Sequence, residues 1–273
     1  MALATTGFAQ KVSNQLTFQK GQKLQMVVKA SSTLTSPMGE SKVDATVTRI
    51  YDVQDASAGT AVIEHKIKRL QFNVESMMGN QAFDSEKPSD MSSENGKIVA
   101  KSLKNKYTMT LDPSGKVTAI KKDDDNPNTT ESGPAADLMS NALSQMAEGL
   151  KVPETGEKTD FAILPSYAVG KGESWTDSVP NRKTVYTIAD INDNDIVISY
   201  TQDENIQTKQ TVMGMEINMS SKDKTTGRIT LDRKTGLLKQ KTGETDSDGT
   251  IDAMGQSAPM TKKISRSWIV TNS

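Results

Sequence analysis

From Val43 the chain alternates apolar and polar positions through Ala45 and Val47 and, after a shift, Ile50, which is the period of a strand with one buried face. Ala61 to Phe72 repeats the pattern through Ile63, His65 and Ile67, so His65 is expected to be a half-buried strand residue in phase with two isoleucines. Tyr107 to Asp112 alternates, turns at Pro113-Ser114-Gly115 and returns through Lys116 to Ile120. Proline presets the backbone of such a turn and glycine supplies the later positive φ, so this reads as a hairpin. Leu16 to Ala30, Val185 to Ile191, Ile196 to Tyr200 and Ser267 to Val270 read as further strands. Ser85 to Lys97, polar and carrying Pro88 and Gly96, predicts a loop. One segment has helical period: after Gly133-Pro134, residues Leu138, Met139, Ala142, Leu143, Met146 and Leu150 share a face.

A dipeptide punctuates this pattern. Met38-Gly39, Met78-Gly79, Met213-Gly214 and Met254-Gly255 each sit between strand-like segments, in two pairs spaced 40 and 41 residues apart, and read as hairpin tips. Other features recur in order. Tyr167 to Val179 corresponds to Phe18 to Val28, Val185 to Ile191 to Val47 to Val53, and Thr230-Leu231-Asp232 to Thr110-Leu111-Asp112. The expected fold class is therefore mainly β: an internally duplicated antiparallel curled sheet, or half-barrel, around one central amphipathic helix. Its two pseudo-repeats are residues 16–122 and 160–273, joined by the acidic linker and helix of 123–152, so that 11–273 forms one β-rich domain. Met78-Gly79 and Met213-Gly214 are then equivalent copies. Met38-Gly39 and Met254-Gly255 belong to terminal hairpins that meet when the first and last long strands pair, which removes exposed edges.

Composition narrows the chemistry. The 33 basic and 34 acidic residues give a net charge of −1, without the cationic excess that phosphate backbones require, so nucleic acid is not an expected partner. Cysteine is absent and His65 is the single histidine, which excludes disulfides, thiolate metal sites and multi-histidine metal clusters. Neither metal nor cofactor is expected. No run of about 18 apolar residues is present to form a membrane-spanning helix. Met1 to Gln10, MALATTGFAQ, resembles the end of a secretory signal peptide, which implies export to the periplasm or outside. The aspartates of Asp123 to Gly133 lack calcium-loop spacing and read as a solvated linker.

Two functional readings follow. In the first, the protein is a non-catalytic monomer that binds a lipid, lipoprotein tail or other apolar molecule between sheet and helix. Met139, Leu143 and Met146 line the site and Met38, Met78, Met213 and Met254 stand at its rim, since methionine repacks readily around variable apolar ligands. The second is a hydrolase acting on glycans through carboxylate pairs, Asp112 with Asp232 or Glu64 with Glu75. Both aspartates begin turns, where a carboxylate caps the backbone, and the turn role is the stronger. Copper binding by Met77-Met78 or Met213-x-Met215 lacks a clustered methionine run.

The Phe8-Ala9-Gln10 start, the Val169-Gly170…Ser174-Trp175 element and the paired Thr-Leu-Asp…Gly hairpins resemble an exported family of unknown function common in Bacteroidetes. That resemblance implies an extracytoplasmic location and no established activity. The expected architecture is also similar, at the level of fold, to periplasmic lipoprotein carriers.

Overall fold

The computed structural model describes residues 10–273 apart from 38, 58, 78, 105, 123–151, 213–214 and 254. The N-terminal half contributes β1 (Lys11–Val12), β2 (Lys23–Ser36), β3 (Gly39–Ser57), β4 (Thr60–Ser76), β5 (Gly79–Asp84), α1 (Pro88–Met91), α2 (Glu94–Lys104), β6 (Tyr107–Leu111) and β7 (Val117–Lys122). The C-terminal half contributes β8 (Val169–Gly170), β9 (Ser174–Val179), β10 (Arg182–Ile191), β11 (Asp195–Val212), β12 (Met215–Asp232), β13 (Leu238–Ala253) and β14 (Gln256–Asn272).

Twelve of these strands form one antiparallel sheet, ordered β7-β6-β4-β3-β2-β14-β13-β12-β11-β10-β9, with β5 beside β4. Each half is a meander. The first runs outward from β2 to the β7 edge, and the second starts at the β9 edge and returns to β14. The pairing of β2 with β14, from Leu24↔Asn272 to Thr35↔Thr261, joins the halves in the middle of the sheet. It does not close a barrel, because β7 and β9 remain as edges. The curled sheet is open along the seam between them.

The seam is covered by chain that is not strand. Gly156 donates its N–H to Val117 O at 2.8 Å, Val117 donates to Glu157 O at 2.8 Å, and Thr159 donates to Gly115 O at 3.1 Å, so residues 156–159 run along the β7 edge. Lys158 then reaches the other edge strand through Asp177 at 3.1 Å. Beyond it Phe161 and Leu164 turn into the core, where they meet the inner-face residues Tyr51, Ile63, Met109, Ile198, Ile229 and Trp268. Residues 14–17 clasp the same end: Leu16 donates to Pro113 O and Thr17 to Thr235 O, one bond to each of the two Thr-Leu-Asp turns.

The opposite end carries the hairpin tips. Because β5-β4, β3-β2, β14-β13 and β12-β11 are consecutive in the sheet, the paired strand ends Ser36 and Gly39, Ser76 and Gly79, Val212 and Met215, and Ala253 and Gln256 fall in one row at one rim. The spacing near 40 residues is two long strands, for example β3 with 19 residues and β4 with 17. Register divides the tips differently from the repeat alignment. In Ser36↔Gly39 and Ser76↔Gly79 the first paired residue after the connection is a glycine, whereas in Val212↔Met215 and Ala253↔Gln256 it is a methionine and a glutamine. Gly39 and Gly79 have φ of 113° and 114°, open to glycine and strained for other residues. Ser36 and Ser76 each donate a hydroxyl hydrogen bond to the glycine carbonyl, at 3.4 and 3.1 Å.

The loop expected over Ser85 to Lys97 is helical instead. Pro88 opens α1, where its fixed φ suits the first helical turn, and the Asp90 carboxylate accepts the Asp84 N–H at 2.9 Å, tying the helix to the end of β5. Val99 and Leu103 of α2 pack against Leu70, Phe72 and Phe83 in a second apolar cluster on the inner face. The stretch is too polar and short for its own periodicity to reveal it; the sheet supplies the apolar partner. The predicted helix after Pro134 lies outside the described residues.

Candidate functional site

All seven predicted ligand contacts, Met139, Leu143, Met146, Met38, Met78, Met213 and Met254, lie outside the described residues. The other sequence candidates are placed. Asp112 and Asp232 cap their own turns. Asp112 Oδ1 accepts from Ser114 N at 2.8 Å and Lys116 N at 3.0 Å, and Asp232 Oδ1 from Lys234 N at 3.0 Å and Thr235 N at 2.9 Å. These bonds to the charged form outweigh burial and hold both carboxyls below their ordinary range, so the pair is structural. Glu64 is bound by Lys106 at 2.9 Å, and Glu75 accepts from Asn73 at 3.2 Å.

His65 is buried, at 2% exposure, rather than half-buried. It stacks on Tyr107 at 4.5 Å and lies 5.0 Å from Tyr51, and neither ring nitrogen has a hydrogen-bond partner among the described residues. Burial, reinforced by the nearby Arg49 guanidinium, pushes its pKa down to about 3, so the ring is neutral. Arg49, 1% exposed, reaches Asp160 of the seam segment at 2.9 Å and Tyr51 Oη at 3.4 Å. Strand alternation accounts for the inward direction of both residues; the seam segment, through Asp160, lies over Arg49, and Tyr51 and Tyr107 enclose His65.

The feature that the sequence does not display is a groove beside that segment. About 230 Å³ of space lies between residues 158–163 and the inner faces of β9, β10, β11, β13 and β14. Its floor is aromatic and apolar: Trp268, Tyr186, Leu238 and Ile163. Lys241 Nζ stands 4.4 Å over the Trp268 ring and 5.6 Å over that of Tyr200. Trp175 stacks on Tyr186 at 5.2 Å, and Tyr186 lies 6.1 Å from Tyr200. Tyr200 spreads across the β12–β13 pair and donates to Thr242 O at 3.1 Å, which requires that its neighbours lack side chains. A Cβ at Gly227 would stand 2.5 Å from the ring. The polar wall holds Arg182, Thr184, Gln202 and the ion pair of Lys158 with Asp177.

Cross-strand register turns these contacts into bands across the inner face. Next to the apolar core runs a polar band, Thr184–Gln202–Thr225–Thr245, followed by a charged one, Arg182–Glu204–Asp223–Ser247–Lys262. Beyond it, towards the tips, Ile206, Met219, Ile251 and Met260 make the face apolar again. In the charged band Asp223 Oδ1 accepts from Ser221 at 2.7 Å and Ser247 at 2.6 Å, with Lys262 Nζ 3.8 Å from Oδ2. Burial pushes the Lys262 ammonium below the ordinary lysine range. Removing the carboxylate leaves that ammonium and two hydroxyls enclosed, so Asp223→Ala is expected to cost about 3 kcal/mol in urea unfolding. Asp223→Asn, which keeps an acceptor for the serines, is expected to cost less, and a loss below about 1 kcal/mol for Asp223→Ala would show that the cluster is solvated. Among the described residues no group of three or more His, Asp or Glu is placed to hold a metal ion.

The class that the fold defines is an open, curled antiparallel sheet whose inner face carries a walled groove. The chain belongs to a family of unknown function, DUF6263, whose model matches residues 58–238. No curated protein matches it. Among solved structures the chain is similar in fold to lipovitellin, in a structure concerned with lipid–protein interactions. The TM-score is 0.50 at 10% identity, over 93% of this chain and 25% of that one. The chain thus spans about a quarter of the lipovitellin chain. An outer membrane channel from Pseudomonas putida F1 aligns over 94% of this chain and 98% of its own, at 8% identity and a TM-score of 0.29, a likeness too loose to carry an argument. No described helix is long and apolar enough to cross a membrane.

Proposed function

We propose that this is a non-catalytic binding protein that holds an amphipathic ligand of the lipid class on the inner face of its curled sheet, and that it acts outside the cytoplasm. The banding of that face carries the reading: an aromatic-floored groove beside a polar band, with apolar side chains again towards the rim. Ligand sites are concave, with placed polar groups that fix orientation, and those that enclose a whole ligand run from about 300 to 1,000 Å³; this groove is lined more by polar than by apolar groups, which suits the head of an amphiphile rather than its tail. A groove of about 230 Å³ suits one end of a molecule whose remainder lies along the sheet. The likeness in fold to lipovitellin, whose structure concerns lipid–protein interactions, supports the ligand class. The signal-like stretch Met1 to Gln10 supports export, and the ordered recurrence of strand and turn motifs supports an origin of the two meanders by duplication.

The purified chain, analysed by native mass spectrometry before and after delipidation, is expected to carry extractable lipid. The delipidated form is expected to bind a fluorescent fatty acid with micromolar affinity. Absence of both retained lipid and fatty-acid binding would dispose of the reading.

A further inference from the structure

The groove wall contains a cation that the fold itself does not use. Arg182 begins β10, its side chain lines the groove, and it makes neither an ion pair nor a side-chain hydrogen bond among the described residues. The acidic groups of the wall are already engaged: Asp177 by Lys158 at 3.1 Å, and Asp160 by the buried Arg49 at 2.9 Å. Glu204 faces Arg182 across the strand pair, but its Oε2 accepts from Gln202 Nε2 at 3.1 Å. A second cation, Lys241, lies on the floor over Trp268. A partly enclosed guanidinium beside an aromatic floor, with its neighbouring acids committed elsewhere, is an arrangement that recognises an anion at the end of an apolar body.

We infer that the groove takes the anionic head group, carboxylate or phosphate, of an amphiphile, with Arg182 as its principal partner and Lys241 assisting from the floor. This rests on the amphiphile reading above and adds the charge of the head group to it. The guanidinium fork matches the two oxygens of a carboxylate or phosphate, and Thr184 and Gln202 supply neutral hydrogen bonds on the same wall. The apolar body of the molecule then lies against the aromatic floor, Trp268 and Tyr186.

Three probes of equal chain length test this on the delipidated full chain: dodecanoate, dodecyl phosphate and dodecanol, each titrated by calorimetry at low ionic strength. The anionic probes are expected to bind at least about tenfold more tightly than the alcohol, as a charge-assisted hydrogen bond implies. Arg182→Gln is expected to bring them down to the affinity that the same variant has for dodecanol, and Arg182→Lys to restore part of the difference. The stronger of the two anions identifies the head group. Equal binding of alcohol and acid, or less than a twofold effect of Arg182→Gln on both anions, would overturn the inference and leave the amphiphile reading standing. Failure of all three probes to bind would remove that reading as well.

Discussion

Replacing Phe161 by alanine is expected to destabilise the protein by about 4 kcal/mol, the cost of emptying a large aromatic site in a packed core. Phe161 is 1% exposed and lies edge-on to Phe18 at 5.7 Å and to Tyr51 at 5.2 Å. It belongs to no strand, so no ladder holds its own stretch of chain in place once the ring is gone. The ring is the apolar anchor of the segment that covers the seam, and the pairing of Asp160 with Arg49 next to it depends on the same backbone. Loosening that backbone also takes away one wall of the groove, so dodecanoate binding is expected to weaken together with stability. Urea unfolding monitored by tryptophan fluorescence measures the first effect. Tyr167→Ala, at an exposed position nearby, is the control and is expected to stay within about 0.5 kcal/mol of the parent. A loss for Phe161→Ala no larger than the control's would mean that the seam segment is an appendage and that the sheet is stable without it.

The second large effect is acid lability in a defined window. His65 is the only histidine, and its pKa falls from 6.5 to about 3 on folding. The unfolded chain therefore binds a proton below pH 6.5 that the folded chain refuses until about pH 3. Stability is unaffected by this group above pH 6.5 and declines as the pH falls through the window, at a limiting slope of about 1.4 kcal/mol per unit. Between pH 6.5 and 4.5 the loss is expected to reach about 2 kcal/mol. The groups that face the ring are Arg49 and Tyr51 of β3, Tyr107 of β6 and, behind Arg49, Asp160. Both tyrosine hydroxyls are held above their ordinary range, chiefly by burial, and stay neutral throughout the window. The carboxyls of Asp84, Asp112 and Asp232 are held below theirs, so the stability they contribute is lost only at lower pH, as it falls through and below the ordinary aspartate range. His65→Phe preserves the stacking on Tyr107 and removes the titration, and its stability is expected to be flat from pH 6.5 to 4.5. Parallel slopes for parent and variant would show that water reaches the imidazole.

The same residues show how far the chain could be read in advance. Alternation at Val43–Val47 and Ala61–Ile67 predicts strands there, and the Asp-Pro-Ser-Gly turn occurs with Asp112 as its cap. Pairing of the first and last long strands is also observed. Each of these is a local periodicity, a turn chemistry, or the consequence of avoiding edges. The helix pair at Pro88–Lys104 escaped because polar sequence without a strong apolar period becomes helical only against the partner that β4 and β5 offer. Arg182 was passed over because a single arginine in an alternating strand is ordinarily a solvated one.

By itself the sequence determined that the chain is mainly β, that Asp112 begins a hairpin turn, and that thiol chemistry has no place in it. Those properties reside in neighbouring residues, where backbone sterics and the two-residue period of a strand act directly. Tertiary structure alone decided that the sheet stays open between β7 and β9, that residues 156–164 cover the opening, and that polar side chains from four strands line up as one band beside an aromatic floor. Such a band is set by cross-strand register, which depends on the turns and bulges of every hairpin along the way, and no single strand carries it in its own order of residues.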